Sequence, residues 1–349
     1  MLAACLEQPG IVEVKEVEKP KVKEGEVLLK IDACALCGTD KRVLAGEKPV
    51  SVPIVGHEIV GRVEELGDNV DSIKIGQRVS VQTVIGCGEC SPCKENRQNL
   101  CEKGFTAIGY AYNGGFADYM IMPKKGVDQN CLIKIPDDLE TGVATLLEPL
   151  SCCINGLRTI PLEKIEHIVI MGAGVIGILN ALVAKARGVK RVTVMNRSVG
   201  RLELAEKLGL PIDDYVCTKD IDPVQWVKEN SEIGEGVGAV IICASTTDLA
   251  APAIEMLKRD GHLSLFAGMP KSNPTTMIDL NLIHYRELHL HGANSSVRVD
   301  YEDALEMLVS KKIDWSPLIT HRFALRDFKK AIKAQNAEGS LKLIVEPHN

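Results

Sequence analysis

Short apolar runs with β-strand character dominate roughly the first 150 residues. Examples are GEVLLKIDAC at 25–34, HEIVGRVEELG at 57–67 and GQRVSVQTV at 76–84, and Gly, Pro and Asp residues separate them. Short runs of this kind, bounded by turn residues, are typical of strands in an all-β unit. We therefore predict an all-β domain at the start of the chain.

From about Glu166 the pattern changes to apolar strands that alternate with glycine turns and helices. This alternation predicts a parallel sheet that is covered on both faces by helices. The segments are HIVIMGAGVIGILNALVAKARG at 167–188, RVTVMNRSVGRLELAEKLG at 191–209, GVGAVIICAS at 236–245, TTDLAAPAIEMLKRDG at 246–261 and HLSLFAG at 262–268.

The part of the chain after Gly292 is too short for a separate domain. Its pattern predicts two helices, YEDALEMLVSKK at 301–312 and DFKKAIKAQNAEG at 327–339, and a last strand, SLKLIVEP at 340–347. We expect this segment to pack back on the rest of the chain.

Length and composition favour a two-domain globular protein. The 349 residues are 45% apolar and 25% charged, which is ample for buried cores. Charged residues come too early at the start for a signal-peptide core, and no apolar run approaches the roughly 18 residues of a membrane helix. We expect a soluble, cytoplasmic chain with no membrane partner. The formal net charge of −6 and the lack of a basic tract give no support for a nucleic-acid partner.

A glycine fingerprint follows the apolar strand HIVIM and opens an apolar helix. In such a context the first glycine permits a tight turn, the second lets the backbone approach a pyrophosphate and the third allows close helix packing. A helix N-terminus also offers free N–H groups to phosphate. We therefore predict a dinucleotide site; a tight turn without a ligand is the alternative. The residues are Gly172, Gly174, Val175, Ile176 and Gly177.

The next strand, RVTVM, ends in Asn196, Arg197 and Ser198, where an acidic residue would normally bind the adenosine ribose. A guanidinium at this position favours a 2′-phosphate, because it donates a fork of hydrogen bonds and no carboxylate repels the anion. These residues favour NADP over NAD. The alternative is that Arg197 stacks on the adenine or faces solvent.

Four of the twelve cysteines lie in one short loop, in the pattern C-x2-C-x2-C-x7-C. In a chain with reduced thiols, four closely spaced thiolates favour a closed, structural zinc site. An iron–sulfur cluster is the main alternative, although the last spacer is too long and no proline follows the fourth cysteine. Four buried free thiols are a weaker alternative. The ligands are Cys87, Cys90, Cys93 and Cys101.

A second set of possible ligands is scattered along the chain: Cys37 in CALCGTDK, His57 and Glu58 in VGHEIVG, and Glu148 in TLLEPLSCC. Each alone is compatible with a buried thiol, a core histidine or a solvated carboxylate. Beside a nicotinamide site, one thiolate, one imidazole and one carboxylate favour a catalytic zinc with an open position.

The motifs CGTD, GHE, the four-cysteine lobe, LLEPL and GAGVIG occur in this order over essentially the whole chain. The combination resembles the zinc-dependent medium-chain alcohol dehydrogenase family, in particular its polyol (sorbitol) and threonine dehydrogenase branch. The resemblance implies an α/β protein with three parts: a GroES-like β-rich catalytic domain at 1–148, which includes the zinc lobe at 86–101; a Rossmann domain with a doubly wound parallel sheet at 149–292; and a segment at 293–349 that rejoins the catalytic domain.

The resemblance also implies roles for the scattered ligands. Cys37 and His57 would bind the catalytic zinc. Glu58 and Glu148 would act as ligand or as partner of the zinc-bound water, and which of them is bound at a given moment stays open. Asp40 would hold the far nitrogen of His57, the arrangement that fixes the tautomer and orientation of a ligating imidazole.

Two further residues take roles from the same resemblance. Thr39 would be the first hydroxyl of a proton relay. Lys342, in SLKLIV, would reach the phosphates of the cofactor, and a solvated surface lysine is its alternative. We expect two Zn2+ per chain and a homodimer or homotetramer.

The expected reaction transfers hydride between the nicotinamide and a secondary alcohol of a polyol, sugar or sugar phosphate, with the matching ketone in the reverse direction. A threonine-type or simple secondary-alcohol substrate is the alternative within the same chemistry. A non-catalytic NAD(P)-binding redox sensor and a zinc-free quinone reductase of the same fold are the alternatives of a different kind.

Overall fold

In the computed structural model, which describes residues 1–335 and 337–349, the described residues form two large sheets of seven and six strands and two small sheets of two strands each. The first unit comprises residues 1–151 and 295–349, and the second comprises residues 152–294. From the sequence we placed the two divisions after residues 148 and 292.

The first unit begins with nine strands and five helices. The strands are β1 (Leu2–Gln8), β2 (Ile11–Glu16), β3 (Val27–Ala35), β4 (Glu58–Leu66), β5 (Arg78–Val81), β6 (Val84–Ile85), β7 (Thr106–Ala107), β8 (Tyr119–Met122) and β9 (Leu132–Lys134). The helices are α1 (Gly38–Leu44), α2 (Ser91–Lys94), α3 (Lys124–Asp128), α4 (Thr141–Thr145) and α5 (Leu147–Leu157). The division between the units falls within α5.

Strands and helices alternate through the second unit. They are β10 (His167–Met171), α6 (Val175–Ala186), β11 (Arg191–Asn196), α7 (Val199–Lys207), β12 (Asp214–Cys217), α8 (Pro223–Asn230), β13 (Val237–Ile242), α9 (Ala250–Met256), β14 (Leu257–Leu265), α10 (Leu280–Arg286) and β15 (His289–Gly292).

The chain then returns to the first unit with α11 (Arg298–Val309), β16 (Ile319–Ala324), α12 (Phe328–Ala334) and β17 (Lys342–Glu346). The helix predicted at 327–339 is shorter than expected, and Asn336, which it included, lies outside the described residues. Short 3-10 turns lie at Gln98–Leu100, Leu162–Lys164, Glu232–Gly234, Thr247–Leu249, Ser316–Leu318 and Leu325–Asp327.

The main sheet of the first unit has the strand order β16-β17-β3-β4-β5-β9, and β8 pairs with β3 beside it. All its pairs are antiparallel except β16 with β17. The unit is rich in strands, but the expectation of an all-β domain is wrong, because short helices lie in the connections between the strands. Side chains that bind free N–H groups define two of them: Asp40 and Cys37 at the start of α1, and Glu140 at the start of α4.

The sheet of the second unit is parallel throughout, in the order β12-β11-β10-β13-β14-β15. Counted within the unit, this is the order 3-2-1-4-5-6 of a Rossmann fold, and it confirms the predicted doubly wound sheet. The helix predicted at 246–261 ends at Met256 instead. There Leu257 pairs with Val237 of the neighbouring strand, and the register shifts once before the pairing continues at His262.

Each unit has its own apolar core. In the first, residues such as Leu29, Ile59 and Phe116 are fully buried, and in the second Val169, Val240 and Leu257 are. The strands of the parallel sheet read as continuous apolar runs because both of their faces are covered. Within the described residues, no helix is long and apolar enough to cross a membrane.

Candidate active site

Three possible metal ligands that are separate in sequence meet in the first unit. Cys37 caps the N-terminus of α1, His57 lies just before β4, and Glu58 is the first residue of β4. One ligand atom from each lies within 4.8 Å of the other two. The antiparallel pairing of β3 with β4 accounts for this proximity, because Ala35 at the end of β3 faces Glu58 at the start of β4.

Asp40 connects two of these ligands. One oxygen, Oδ2, accepts the backbone N–H of Cys37 at 2.9 Å, and the other, Oδ1, lies 3.2 Å from Nδ1 of His57. The hydroxyl of Tyr110 lies 3.4 Å from the same ring nitrogen. With Nδ1 directed at these partners, Nε2 of His57 is the nitrogen available to a metal.

Glu58 is ion-paired with Lys342 of β17, and both side chains are almost fully buried. The ammonium also lies 3.4 Å from the carbonyl oxygen of Leu36, to which it donates. Burial opposes the charge of Lys342, but the negative groups of Glu58, Cys37 and Glu148 raise its pKa. The structure thus places Lys342 in the same cluster as the metal ligands; its contact with cofactor phosphates stays a prediction.

Glu148 lies in the first turn of α5 and is buried. Among the described residues it is not part of the closest set of ligand atoms, although its charge contributes to the raised pKa of Lys342. Thr39 lies one residue into α1, and its N–H faces Cys37 Sγ at 3.5 Å. The roles predicted for Glu148 and Thr39 remain predictions.

The electrostatics of this cluster favour a cation. Burial alone would lower the pKa of His57, yet Tyr110, Asp40 and Cys37 raise it well above its usual range. The same surroundings raise the pKa of Lys342. A thiolate, an imidazole and a carboxylate are also the donor types that zinc takes in catalytic sites. The residues present therefore fit a zinc ion with an open coordination position.

The four-cysteine lobe forms a second cluster. The Sγ atoms of Cys87 and Cys93 lie 3.9 Å apart, as do those of Cys90 and Cys101. Backbone N–H groups of Cys90 and Glu89 donate to Cys87 Sγ, and they lower the pKa of that thiol to about 6. Burial raises the pKa of Cys93 to about 12.

These sulfur separations fit a tetrahedral zinc. With Zn–S bonds of about 2.3 Å, the edge of a tetrahedron is about 3.8 Å long. The lobe is also anchored at its start, because the side chain of Gln129 donates to the carbonyl of Gly86 and accepts its N–H. The arrangement can hold a closed zinc site that stabilises the loop.

The glycine fingerprint joins β10 to α6 in the second unit. Gly172 adopts φ +120°, a conformation that other residues rarely take. A Cβ on Gly177 would overlap the carbonyl oxygen of Gly172, so a side chain there is excluded. Gly174 is the N-cap of α6, and Val175 and Ile176 form its first turn. Their N–H groups are the free donors of the helix N-terminus.

The end of β11 is tied to this loop by Asn196. Its Oδ1 accepts the N–H of Ala173 at 3.2 Å, and its Nδ2 donates to the carbonyl oxygen of Ser198 at 2.8 Å and to its hydroxyl at 3.1 Å. Arg197 and Ser198 are exposed beside it. Asn196 therefore organises the loop, and the ribose contacts predicted for these three residues remain predictions.

Comparison with known families identifies both halves of the chain. Residues 23–137 match the alcohol dehydrogenase GroES-like domain, and residues 175–310 match the zinc-binding dehydrogenase domain. The chain is 31% identical to L-threonine 3-dehydrogenase of Chromobacterium violaceum, over 99% of this chain and 98% of that protein. It belongs to the zinc-type medium-chain alcohol dehydrogenase family.

Two further relatives extend the comparison. Sorbitol dehydrogenase of Halalkalibacterium halodurans is 30% identical, over 97% of this chain and 96% of its own length. A zinc-binding dehydrogenase of Sinorhizobium meliloti 1021, solved with NADP bound, is 30% identical, with a TM-score of 0.89 over 99% of both chains. The predicted family and fold are therefore confirmed. As a member of this family the chain is a zinc-dependent NAD(P) oxidoreductase.

Three contacts of this dehydrogenase were not expected from sequence. Tyr110 reaches His57, as described above. Gln335 donates to the carbonyl oxygen of Cys37 at 2.9 Å. The guanidinium of Arg201, from α7, lies beside Gly174 of the fingerprint. A Cβ built on this glycine would be 3.5 Å from Nη1. Arg201 had a sequence signal: it is a second arginine, four residues after Arg197, in the segment that follows β11.

Proposed function

We propose that this family member oxidises a secondary alcohol of a polyol, sugar or sugar phosphate with NADP, and reduces the matching ketone with NADPH. The observation that carries the proposal is the close set of Cys37, His57 and Glu58, oriented by Asp40. The chain of a non-catalytic sensor would have no physical need for this arrangement of possible metal ligands.

Cys37 and His57, with Glu58 or Glu148, would hold the catalytic zinc. When bound, zinc supplies Lewis acidity, which lowers the pKa of a coordinated hydroxyl and polarises a carbonyl. Cys87, Cys90, Cys93 and Cys101 would hold the structural zinc.

The chain's own residues position the reaction. Asp40 fixes the imidazole of His57 through Nδ1, so that Nε2 faces the metal. The hydroxyl of Thr39 would accept the proton of the substrate hydroxyl on Oγ1 while its own proton passes to solvent water. Lys342 holds the orientation of the Glu58 carboxylate, because the two side chains are ion-paired in a buried environment. The backbone of the fingerprint binds the cofactor, whose nicotinamide carries the hydride.

Two features support NADP as the preferred cofactor. No acidic side chain stands at Asn196, Arg197 or Ser198, and the guanidinium of Arg201 lies near the same loop. Arginine binds phosphate oxygens through a fork of donors. The Sinorhizobium relative was solved with NADP bound.

The substrate class is supported by the polar character of the cluster. Glu58 and Glu148 are both buried, and the charges of both raise the pKa of Lys342, so the cluster is polar and suits a partner with several hydroxyl groups. The sorbitol dehydrogenase relative points to the same class. The threonine dehydrogenase relative makes a small amino alcohol the second candidate.

The four cysteines of the lobe, Cys87, Cys90, Cys93 and Cys101, form no disulfide, as zinc ligation by thiolates requires. We therefore place the enzyme in a reducing compartment such as the cytoplasm. We also propose that it works as a homodimer or homotetramer.

A panel of polyols, sugars, sugar phosphates, threonine and simple secondary alcohols tests the proposal. Turnover is followed by reduced-nicotinamide absorbance with NADP and with NAD, on enzyme whose zinc content is measured. We expect about two zinc ions per chain, the fastest turnover with a polyol or sugar, and a preference for NADP. Cys37→Ser should abolish turnover and retain cofactor binding. Full activity in this variant would overturn the assignment of the site.

A further inference from the structure

A lysine in the connection that follows α1 lies beside the candidate active site. The Nζ of Lys48 lies over the ring of Tyr110, 4.2 Å from its centroid. The same ring packs against His57, with centroids 5.3 Å apart, and its hydroxyl lies 3.4 Å from Nδ1 of the imidazole. The ammonium of Lys48 and a proposed zinc ligand therefore contact the same aromatic ring.

Backbone contacts fix the segment that carries this lysine. The N–H groups of Glu47 and Lys48 donate to the carbonyl oxygen of Arg42 in α1, at 2.9 and 3.3 Å. Further along the segment, the N–H and the hydroxyl of Ser51 both donate to the carbonyl oxygen of Tyr110, at 2.9 and 3.1 Å. The backbone on either side of Lys48 is thus tied to α1 and to Tyr110, so the ammonium extends from a defined position.

The charges of the proposed metal site act on Lys48. Although the residue is exposed, partial burial of its ammonium lowers its pKa, while Cys37 raises it, Arg42 lowers it and Asp40 raises it. Within the described residues no carboxylate forms an ion pair with Lys48, whereas Arg42 pairs with Glu47 at 3.5 Å. The face of an aromatic ring attracts a cation less strongly than an anionic oxygen does. Lys48 is therefore a cation at the candidate active site that can take an anionic partner from solution.

We propose that Lys48 binds an anionic end group of the substrate, so that the enzyme prefers a polyhydroxy alcohol with a phosphate or carboxylate to the uncharged parent compound. The inference rests on the proposed function, because it requires the reacting hydroxyl to lie at the site of Cys37 and His57. A phosphate monoester carries a charge of about −1.5 to −2 near pH 7, and a lysine ammonium donates to its oxygens. A carboxylate offers the same chemistry with a smaller charge.

The position of Lys48 also determines which kinetic constant it affects. The ammonium lies on the Tyr110 ring, which in turn contacts His57, so the group that it binds is about one side chain away from the reacting hydroxyl. The end group of a sugar phosphate or a sugar acid can lie at such a distance from a hydroxyl further along its chain. A contact away from the reacting carbon is made equally before and during hydride transfer. It should therefore lower KM and leave kcat unchanged.

Steady-state kinetics on matched substrates test the inference. The substrates are pentitols and hexitols, the monophosphate of each and the corresponding aldonic acids, all with NADP and zinc-loaded enzyme. We expect the KM of a charged substrate to be roughly fivefold or more below that of the uncharged polyol, with similar kcat. Comparison of the phosphates with the carboxylates identifies the end group that the site takes.

Variants of Lys48 assign this preference to its ammonium. Lys48→Met should raise the KM of the charged substrate to about that of the uncharged polyol, and should change the KM for the polyol and for NADP much less. Lys48→Arg keeps the cation and should retain most of the preference. Lys134→Met, at an exposed lysine at the end of β9 in the same unit, is the matched control and should keep the wild-type preference.

Three results would overturn the inference: equal KM values for charged and uncharged substrates in the wild type, a preference that Lys48→Met leaves intact, or equal losses on both substrates in that variant. A rise in KM confined to NADP would also overturn it, by assigning Lys48 to the cofactor. If Lys48→Met fails to fold, Lys48→Gln makes the same comparison. Turnover of free polyols without a preference contradicts this inference alone, whereas no turnover of any substrate in the sets overturns the proposed function together with it.

Discussion

The buried ammonium of Lys342 is ion-paired with the buried carboxylate of Glu58, one residue from the metal ligand candidate His57. Removing one partner of such a pair leaves an uncompensated charge in the interior. We expect Lys342→Met to lower the free energy of unfolding by about 3 kcal/mol, measured by urea denaturation of the zinc-loaded enzyme. Lys342→Arg keeps the charge and should lose less.

The same variants separate two roles of Lys342. If it acts mainly through Glu58, Lys342→Met should reduce stability and kcat more than it raises KM for NADP. A large rise in KM with unchanged stability would instead support the predicted contact with cofactor phosphates. The exposed Lys333 of α12 offers a control, and Lys333→Met should change stability by no more than about 0.5 kcal/mol.

Asp40 orients both Cys37 and His57, so its effect should be visible in metal binding. We expect Asp40→Asn to weaken the affinity of the catalytic zinc by about 10–100-fold, because the carboxylate partner of a ligating imidazole is lost. Competition with a zinc chelator measures this change. Asp128→Asn, at an exposed surface pair, should leave the chelator profile unaltered. An unaltered profile for Asp40→Asn would mean that the 3.2 Å contact does not orient the ligand.

The cysteine lobe should be structural. Cys90→Ser removes one of four mutually close sulfurs, and we expect about one zinc per chain instead of two and a lower thermal unfolding temperature. Cys217→Ser, outside both ligand sets, should keep both zinc ions. Normal zinc content in Cys90→Ser would exclude the closed site.

Arg201 should contribute to the choice of cofactor. Its guanidinium lies over Gly174, and an arginine–phosphate contact is worth about 1.5–3 kcal/mol. We expect Arg201→Ala to raise KM for NADP roughly tenfold or more and to change KM for NAD little, since only NADP carries a 2′-phosphate. Lys207→Ala, at the other end of α7, controls for net charge. Equal losses with both cofactors would assign Arg201 to the pyrophosphate instead.

The order of the motifs was enough to predict the fold, because strand and helix periodicities and the Gly172 turn depend on local sequence. The sequence also supplied every member of the Cys37, His57 and Glu58 set. It did not reveal contacts between distant elements. The phosphate contact of Lys342 stays a prediction, but its ion pair with Glu58 was not predicted, because it depends on the pairing of β17 with β3.

Short helices and the positions of exposed side chains were also hard to predict from the sequence. Helices α1 to α4 are one or two turns long, so periodicity cannot identify them; side-chain caps define α1 and α4 instead. The positions of the Arg201 guanidinium and of the stacked rings of His262 and His289 depend on where neighbouring elements pack. His262 is 27 residues before His289 in sequence, and only the parallel pairing of β14 with β15 makes them neighbours.

His167 should make the second unit sensitive to acid. Burial, followed by the charge of Arg191, lowers its pKa from 6.5 to about 4. Its Nε2 lies 2.8 Å from the hydroxyl of Thr193, which donates to Asp214, so the neutral ring donates to Thr193. The unfolded chain takes up a proton near pH 6.5 and the folded chain only near pH 4. Stability from this group is therefore present above pH 6.5 and is lost as the pH falls from 6.5 to 4.

We expect this loss to be about 1–2 kcal/mol, because the ring is partly exposed and solvent reduces the full effect. His167→Gln keeps an N–H donor without a titrating ring, so its urea midpoint should fall less than that of the wild type between pH 6.5 and 4. Any loss of zinc in acid affects both proteins equally, so the difference between the two profiles isolates His167. The control is His284→Gln, at an exposed histidine, which should follow the wild-type profile. Parallel profiles for wild type and His167→Gln would contradict the prediction, because they would show that the His167 ring is protonated equally in the folded and unfolded chains.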